Sequence, residues 1–187
     1  MYEFTLFLSC WNVSILDAMK LGIAKLNDEE FVNSLTEEDL ANLIIEWCED
    51  WLKYKEISMD GLYVKSLWYR FETIIWRFGA DLKTILKREK FKKSQLIEKS
   101  IICVLNDKRY GKGRETFALL VGDFKFHLSQ KNVNILLNDE DVYGHVIISL
   151  RKLKMKGFEE KMTEIINSEK GWIKSEAKKY LDKSTSW

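Results

Sequence analysis

Apolar residues in the second half of the chain follow a helical pattern that recurs as a unit. Two apolar residues followed by asparagine close a helical run at 104–106, 136–138 and 165–167. An apolar pair four residues apart then follows each triplet, at Phe117 and Val121, at Val146 and Leu150, and at Ala177 and Leu181. The first signature recurs after 32 and 29 residues, and the second after 29 and 31. Two signatures in step at about 30 residues are typical of stacked helix pairs, which bury one another's apolar faces.

The middle unit carries a stripe of apolar residues at helical spacing, namely Val142, Val146, Leu150 and Leu153. Spacings of three and four residues place such a stripe on one face of a helix. Asp139 is predicted to cap the N-terminus of that helix, with Glu140 and Asp141 near the positive end of its dipole. Gly157 is predicted to break the chain before a returning apolar helix.

The first half of the chain is also helical in pattern but lacks the repeat. Its predicted elements, in order, are a helix over 13–26, a short turn opened by a capping box at Asn27 and Glu30, a long helix capped by Thr36, a helix from near Asp60 to a stop at Gly79, a short helix over 81–86 and a helix capped by Ser94. These assignments combine the period of the apolar residues with the residue types that favour helix ends.

The run Asp139-Glu140-Asp141-Val142, followed by small or apolar positions and a leucine, resembles the first helix of a HEAT-like repeat of the short-period class. The resemblance covers about 80 residues. It implies an all-α fold, a right-handed stack of helix pairs (an α-solenoid), with the repeats clearest over 95–183. We expect one domain over 1–187, in which 1–94 is a non-repetitive or degenerate helical half and 184–187 is a frayed tail.

Composition agrees with a helical, globular protein. The chain has no proline, which favours helices joined by Gly, Asn, Asp and Ser turns. Its three cysteines, Cys10, Cys48 and Cys103, have no metal-like spacing, so we expect buried, reduced thiols in a cytoplasmic protein. The first residues lack the basic region of a signal peptide, and no apolar run is long enough to cross a membrane.

Candidate chemistry is sparse. The segment 108–114 contains Gly111-Lys112-Gly113, but its glycine spacing and the absence of a following Ser or Thr do not match a P-loop. We interpret it as an exposed turn between helices, with phosphate binding as the alternative. His127 and His145 are isolated from other metal-ligating or nucleophilic residues. We therefore expect no metal, no cofactor and no enzymatic activity.

Charge is distributed very unevenly along the chain. Residues 1–60 carry a balance of −9, residues 61–120 carry +8, and residues 121–187 carry +2, although the whole chain is only +1. Stacked helices turn sequence order into spatial order, so this asymmetry should give a polarised molecule. Solvated helix faces with internal pairing are one interpretation. The other is that the acidic end binds a basic protein and steers its approach.

In class and architecture the chain resembles bacterial toxin-immunity proteins. That resemblance implies binding to a cognate toxin, often a nuclease, and neutralisation by covering its active site. Two alternatives stay open: a HEAT-like DNA-binding protein of the alkylpurine glycosylase type and a generic scaffold or adaptor. The DNA-binding alternative depends on a basic cluster made of Lys83, Lys87, Arg88, Lys90, Lys92 and Lys93.

The predicted contacts to a basic protein partner, such as a toxin nuclease domain, are carboxylates. The stronger candidates are Asp28, Glu29, Glu30, Glu38, Glu46 and Glu49, and the weaker ones, for which helix capping is already an explanation, are Asp139, Glu140 and Asp141. We expect no membrane partner, no nucleic acid, and a monomer apart from the complex.

Overall fold

A computed structural model describes residues 26–58 and 65–187, and over these residues the chain is all-α, with no strand. The helices are α1 (Glu29–Ser34), α2 (Glu37–Ser58), α3 (Lys65–Ile85), α4 (Gln95–Asn106), α5 (Glu115–Phe124), α6 (Gln130–Leu136), α7 (Tyr143–Leu153), α8 (Glu159–Ser168) and α9 (Gly171–Ser184). A 3₁₀ segment, Lys108–Arg114, joins α4 to α5. The predicted all-α class is therefore confirmed. The helix expected over 13–26, apart from Leu26, and the start expected near Asp60 lie outside the described residues.

Two of the predicted helix starts are confirmed and one is corrected. Thr36 caps α2 in a reciprocal arrangement: its Oγ1 accepts from the Asp39 amide at 3.1 Å, and the Asp39 carboxylate accepts from the Thr36 amide at 2.9 Å. Ser94 caps α4. The capping box expected at Asn27 is wrong, because the α1 cap is Asp28, which accepts from the amides of Glu30 and Phe31.

Gly79 does not end a helix, contrary to the sequence prediction. Helix α3 continues through it to Ile85 and absorbs most of the short helix expected over 81–86. A Cβ at Gly79 would lie 2.2 Å from Thr116 Oγ1 and 2.9 Å from Phe117 Cε2. The glycine is therefore a packing position, where the absence of a side chain lets α5 approach α3 closely.

The helices pack in sequence along the chain. Helix α3 contacts α5, α5 contacts α7, and α7 contacts α9, while α2 packs on α4, α4 on α5, and α8 on α9. The buried apolar residues form a single cluster that runs from Leu26 to Tyr180. Both members of the second repeat signature are buried in α5 and in α7, which places the repeated positions at the helix contacts.

The repeat is also visible in how α5 and α7 end. Lys125 and Lys154, which lie 29 residues apart, are both left-handed, with φ of 61° and 54°. The next amides donate back into the helix, from Phe126 to the Val121 carbonyl and from Met155 to the Leu150 carbonyl, each at 3.0 Å. A left-handed residue with this six-residue hydrogen bond is the Schellman ending. Two helices 29 residues apart therefore share both their buried positions and their termination.

The last residues of the chain lie against α9. The Trp187 ring stands edge-on to the Tyr180 ring, with 5.1 Å between the centroids, and the Tyr180 hydroxyl donates to the Met155 carbonyl at 2.6 Å. Fraying of 184–187 and the single domain over 1–187 stay predictions.

Candidate functional site

The segment between α4 and α5 is not the exposed turn predicted for it. Tyr110, Gly111, Gly113 and Arg114 are all buried, and Gly111 adopts a positive φ of 50°. A Cβ at Gly113 would lie 2.8 Å from the Cβ of Ile75, so the backbone packs directly on α3. Only glycine permits both features. Backbone packing therefore explains why two glycines stand here, and phosphate binding is not needed to explain them.

Arg114 is a fully buried cation with a complete set of partners. Its Nε donates to the Gly111 carbonyl at 2.8 Å, and its Nη1 donates to the Leu105 carbonyl at 3.2 Å. Nη1 and Nη2 form a two-pronged contact with the Asp139 carboxylate at 2.9 and 3.2 Å, and Nη2 also reaches Asp141 at 3.3 Å. A buried charge is tolerated when its donors are satisfied and a counter-charge is adjacent. Arg114 therefore ties the 3₁₀ segment to the turn that precedes α7.

Asp139 does not cap α7, which corrects the sequence prediction. The α7 helix begins at Tyr143 with Val142 at the cap position and no side-chain cap, whereas the Asp139 side chain is only 6% exposed. Burial alone would raise the pKa of Asp139, but the Arg114 hydrogen bonds and charge hold that pKa below its usual range. Asp139 thus presents almost no carboxylate surface to a partner. Asp141 is partly exposed and also pairs with Arg114, while Glu140 is exposed.

The acids of α1 have mixed roles. Asp28 caps the helix, and Glu29 forms an ion pair with Arg88 at 2.8 Å. Glu30 is exposed, and no cation within the described part of the chain pairs with it. Both Asp28 and Glu29 remain on the surface, so their local roles leave their carboxylates reachable.

On α2, two of the three predicted acids are exposed, and no described cation pairs with them. Glu38, Asn42 and Glu46 follow one another at four-residue intervals along the exposed side of the helix, and we call these three residues the α2 stripe. Among the side chains that the structure describes, at 26–52 and 72–187, no lysine or arginine pairs with Glu38 or Glu46. Glu49, one turn further, differs: it accepts from Arg109 at 2.5 Å and from the Tyr110 hydroxyl at 2.9 Å.

Most of the basic cluster is held by the chain's own oxygens. The contacts are Lys83 to Asp123, Arg88 to Glu29 and Asn33, Lys90 to the carbonyls of Val32, Asn33 and Leu35, and Lys92 to Glu89. The Lys90 ammonium thereby closes the C-terminal end of α1, where carbonyls lack helical partners. Four of the six cations predicted to contact phosphates are therefore already engaged.

The described thiols and imidazoles do not group into a metal site. Cys48 is buried, and its burial raises the pKa of the thiol, whereas Cys103 is exposed, so the prediction of a buried thiol is wrong there. Cys10 lies outside the described residues. In the ranges that the structure describes, no three His, Cys, Asp or Glu side chains group to hold a metal ion. None of the described helices is long and apolar enough to cross a membrane.

A groove on α3 and α5 was not predicted from the sequence. It encloses about 370 Å³ and is lined by Glu72, Thr73, Trp76, Lys112 and Glu115. Trp76 is 40% exposed, although it sits inside an apolar run. Its neighbours Ile74, Ile75 and Phe78 form the core face, and Trp76 falls off their three-and-four spacing, which is the signal that could have identified it.

Similarity to known proteins assigns this chain to no family. No protein-family model matches the sequence, no curated protein matches it, and no solved structure matches it.

Proposed function

We propose that this chain is a protein-binding module, and that it acts as an immunity protein: it neutralises a cognate bacterial toxin by covering the active site of a basic nuclease domain. The observation that carries the proposal is the α2 stripe. Glu38 and Glu46 are exposed and lack a cation among the described residues, although acids close to them, Glu29 and Glu49, are paired. Carboxylates left unpaired beside paired ones are available to a cationic partner.

The proposed architecture is a right-handed, HEAT-like α-solenoid. Its support is the order of helix contacts, α3 to α5 to α7 to α9, together with the matching ends of α5 and α7. Stacked helix pairs offer an extended surface to a partner and need no catalytic residues. Such a surface is large enough to cover the active-site cleft of a small enzyme.

Electrostatics explains why an acidic stripe suits an inhibitor of nucleases. A nuclease that binds a phosphate backbone presents lysines and arginines, and an acidic protein competes for the same charges. Opposite charges on two proteins also accelerate their encounter, and salt weakens this effect. The proposal therefore includes a fast association rate that falls steeply with ionic strength.

The DNA-binding alternative has weaker support, because four cations of the basic cluster are engaged within the chain. A scaffold or adaptor without a toxin partner is an outcome of the test rather than a separate proposal.

The test is protection of growing cells. The protein encoded immediately upstream of this chain's gene is expressed as a toxin, alone and with the parent chain. We expect the parent to restore growth, and Glu38→Lys with Glu46→Lys to lose most of that protection while melting like the parent. The control carries the same charge change on exposed acids of α8 and α9, Glu160→Lys with Asp182→Lys, and should protect.

Two results would count against the proposal. If the upstream protein is not toxic, or if it kills cells that express the parent chain, the immunity function fails. If the α2 variant protects as well as the parent, the stripe is not the interface and the partner binds elsewhere.

A further inference from the structure

Two of the most exposed large apolar side chains are tryptophans, one in the middle of α3 and one at the start of α9. Among the described residues, the large apolar side chains with the greatest exposure are Trp76 at 40%, Leu96 at 47%, Ile135 at 48% and Trp172 at 50%. Tryptophan is costly to leave in water and is enriched at the centres of protein interfaces. The two tryptophans lie on α3 and α9, the first and last members of the α3–α5–α7–α9 contact series.

Glu115 and His145 connect the two rings. Glu115 begins α5 and interacts with the Trp76 side chain, and its Oε1 lies 3.9 Å from His145 Nδ1 on α7. The His145 ring in turn lies 5.1 Å from the Trp172 ring, centroid to centroid. Trp76, Glu115, His145 and Trp172 thus form a continuous line across four helices, which we call the aromatic row.

A glycine is required for the far end of this row. A Cβ at Gly144 would lie 2.5 Å from Cη2 of Trp172, a separation that packed atoms do not reach. The bare backbone at the start of α7 lets the indole lie against the helix with its other side in water. Trp172 is therefore held in place while half of its surface stays exposed.

The row carries negative charge without a strong internal counter-charge. Among the side chains that the structure describes, at 26–52 and 72–187, no lysine or arginine forms an ion pair with the Glu115 carboxylate. Burial raises the pKa of Glu115, and Lys112, the one cation among the described residues that line the groove, opposes that rise from the exposed side. Burial also lowers the pKa of His145, which is therefore neutral at neutral pH.

We propose that the aromatic row binds an arginine side chain of the basic partner protein. In this arrangement the guanidinium lies against the Trp76 indole in the groove and pairs with the Glu115 carboxylate, while Trp172, at the other end of the row, contacts a different residue of the same segment. Arginine fits this site better than lysine, because its planar cation both stacks on an aromatic ring and pairs with a carboxylate. This inference rests on the proposed function, and it adds the side chain that is recognised and the surface that recognises it.

The direct test uses a penta-arginine peptide as the probe and the indole N–H signals of the seven tryptophans as the readout in nuclear magnetic resonance spectra. The experiment is carried out on the Glu38→Lys, Glu46→Lys variant, so that the α2 stripe does not capture the peptide. We expect the Trp76 and Trp172 signals to shift with peptide concentration, pentalysine to bind more weakly, and pentaglutamate to give no shift.

Matched variants distinguish binding by the aromatic row from nonspecific binding to exposed apolar side chains. Glu115→Gln and Trp76→Ala should each weaken penta-arginine binding about two- to fivefold, the range of an exposed cation–π or ionic contact. Leu96→Ala, which truncates an apolar side chain of similar exposure on α4, should leave the affinity unchanged. The inference is overturned if neither indole signal shifts, or if Leu96→Ala weakens binding as much as Trp76→Ala.

The same variants distinguish this inference from the proposed function. If the upstream toxin binds the parent chain and Trp76→Ala with the same dissociation rate, the aromatic row fails and the immunity function stands. If penta-arginine shifts both indole signals but the upstream protein does not bind the parent, the row stands and the immunity function fails.

Discussion

Two acidic regions of this molecule resemble each other in sequence and differ in what surrounds them. In the α2 stripe, Glu38 and Glu46 face outward, and no described cation pairs with them. In the run before α7, Asp139 is buried in a two-pronged contact with Arg114. The 3₁₀ segment accounts for the difference, because it delivers a cation to one acidic region and not to the other. The cation that the fold places beside an acidic region therefore determines whether its carboxylates stabilise the fold or are available to a partner.

The two environments imply opposite responses to the same substitution. Removing one member of a buried ion pair leaves an uncompensated charge in a medium of low polarity, which is strongly destabilising. Removing an exposed carboxylate changes folding very little, because water screens it in both states. Substitutions in the buried region should therefore lower stability much more than substitutions in the α2 stripe. Substitutions in the α2 stripe should in turn weaken partner binding more than substitutions in the buried region.

The largest effect on stability should come from disrupting the core packing of α5, α7 and α9. Leu150 is fully buried on α7, where α5 and α9 pack. Leu150→Asp should remove several kcal/mol of stability and unfold the chain, because a charge is forced into the core. Ile135→Asp, at a half-exposed position on α6, is the control and should melt near the parent. A native-like circular-dichroism melt for Leu150→Asp would show that the buried register is wrong.

Arg114 should give the next largest effect. Arg114→Met leaves the Asp139 carboxylate buried without its cation and should cost about 3–5 kcal/mol in urea unfolding. Adding Asp139→Leu removes the orphaned charge, so the double variant should be more stable than Arg114→Met alone. A loss under about 1 kcal/mol for Arg114→Met, in the range of a surface pair, would place the two acidic regions in the same class.

Acid should lower the stability of the fold through the buried region, because the Asp139 ion pair contributes to stability. The folded-state pKa of Asp139 is lowered, so its ion pair stabilises the fold above the unfolded-state pKa of about 4 and loses that contribution as the pH falls below it. The contribution of Asp139 to stability should be constant from pH 7 to 5, and below about pH 4 its loss should make the stability of the parent decline. Asp139→Asn should decline less steeply, by up to about 1.4 kcal/mol per pH unit. Parallel curves for parent and variant would contradict the assignment.

The environment of one acidic region could be predicted from the sequence, and that of the other could not. The α2 stripe follows from periodicity alone, because four-residue spacing opposite an apolar face determines exposure. Arg114 could not be identified in this way, since its partner lies 25 residues further on and a charged residue beside two glycines is typical of a surface turn. Gly79 was missed for the same reason, because the contact that explains it depends on how α3 and α5 pack, whereas Trp76 departs from the spacing of the core face and could have been recognised from it. Local periodicity predicts which face of a helix is exposed. Contacts between residues far apart in the sequence decide which polar groups are paired within the fold.

The smallest effect on folding is expected in the α2 stripe. Glu38→Gln with Glu46→Gln should change the free energy of unfolding by less than about 0.5 kcal/mol per site, because both carboxylates are exposed and no described cation pairs with either. Urea unfolding beside the parent measures this directly. A loss comparable to that of Arg114→Met would mean that these acids stabilise the fold and are not held free for binding.

The role of the α2 stripe in binding is tested most directly by the rate at which the purified upstream toxin domain associates with the chain, measured at low and high salt. For Glu38→Gln with Glu46→Gln, we expect association to be about tenfold slower than the parent at low salt and to converge with it at high salt. Glu160→Gln with Asp182→Gln, the matched control, should follow the parent at both salt concentrations. An α2 variant that associates as fast as the parent and keeps the parent's salt dependence would contradict the proposal.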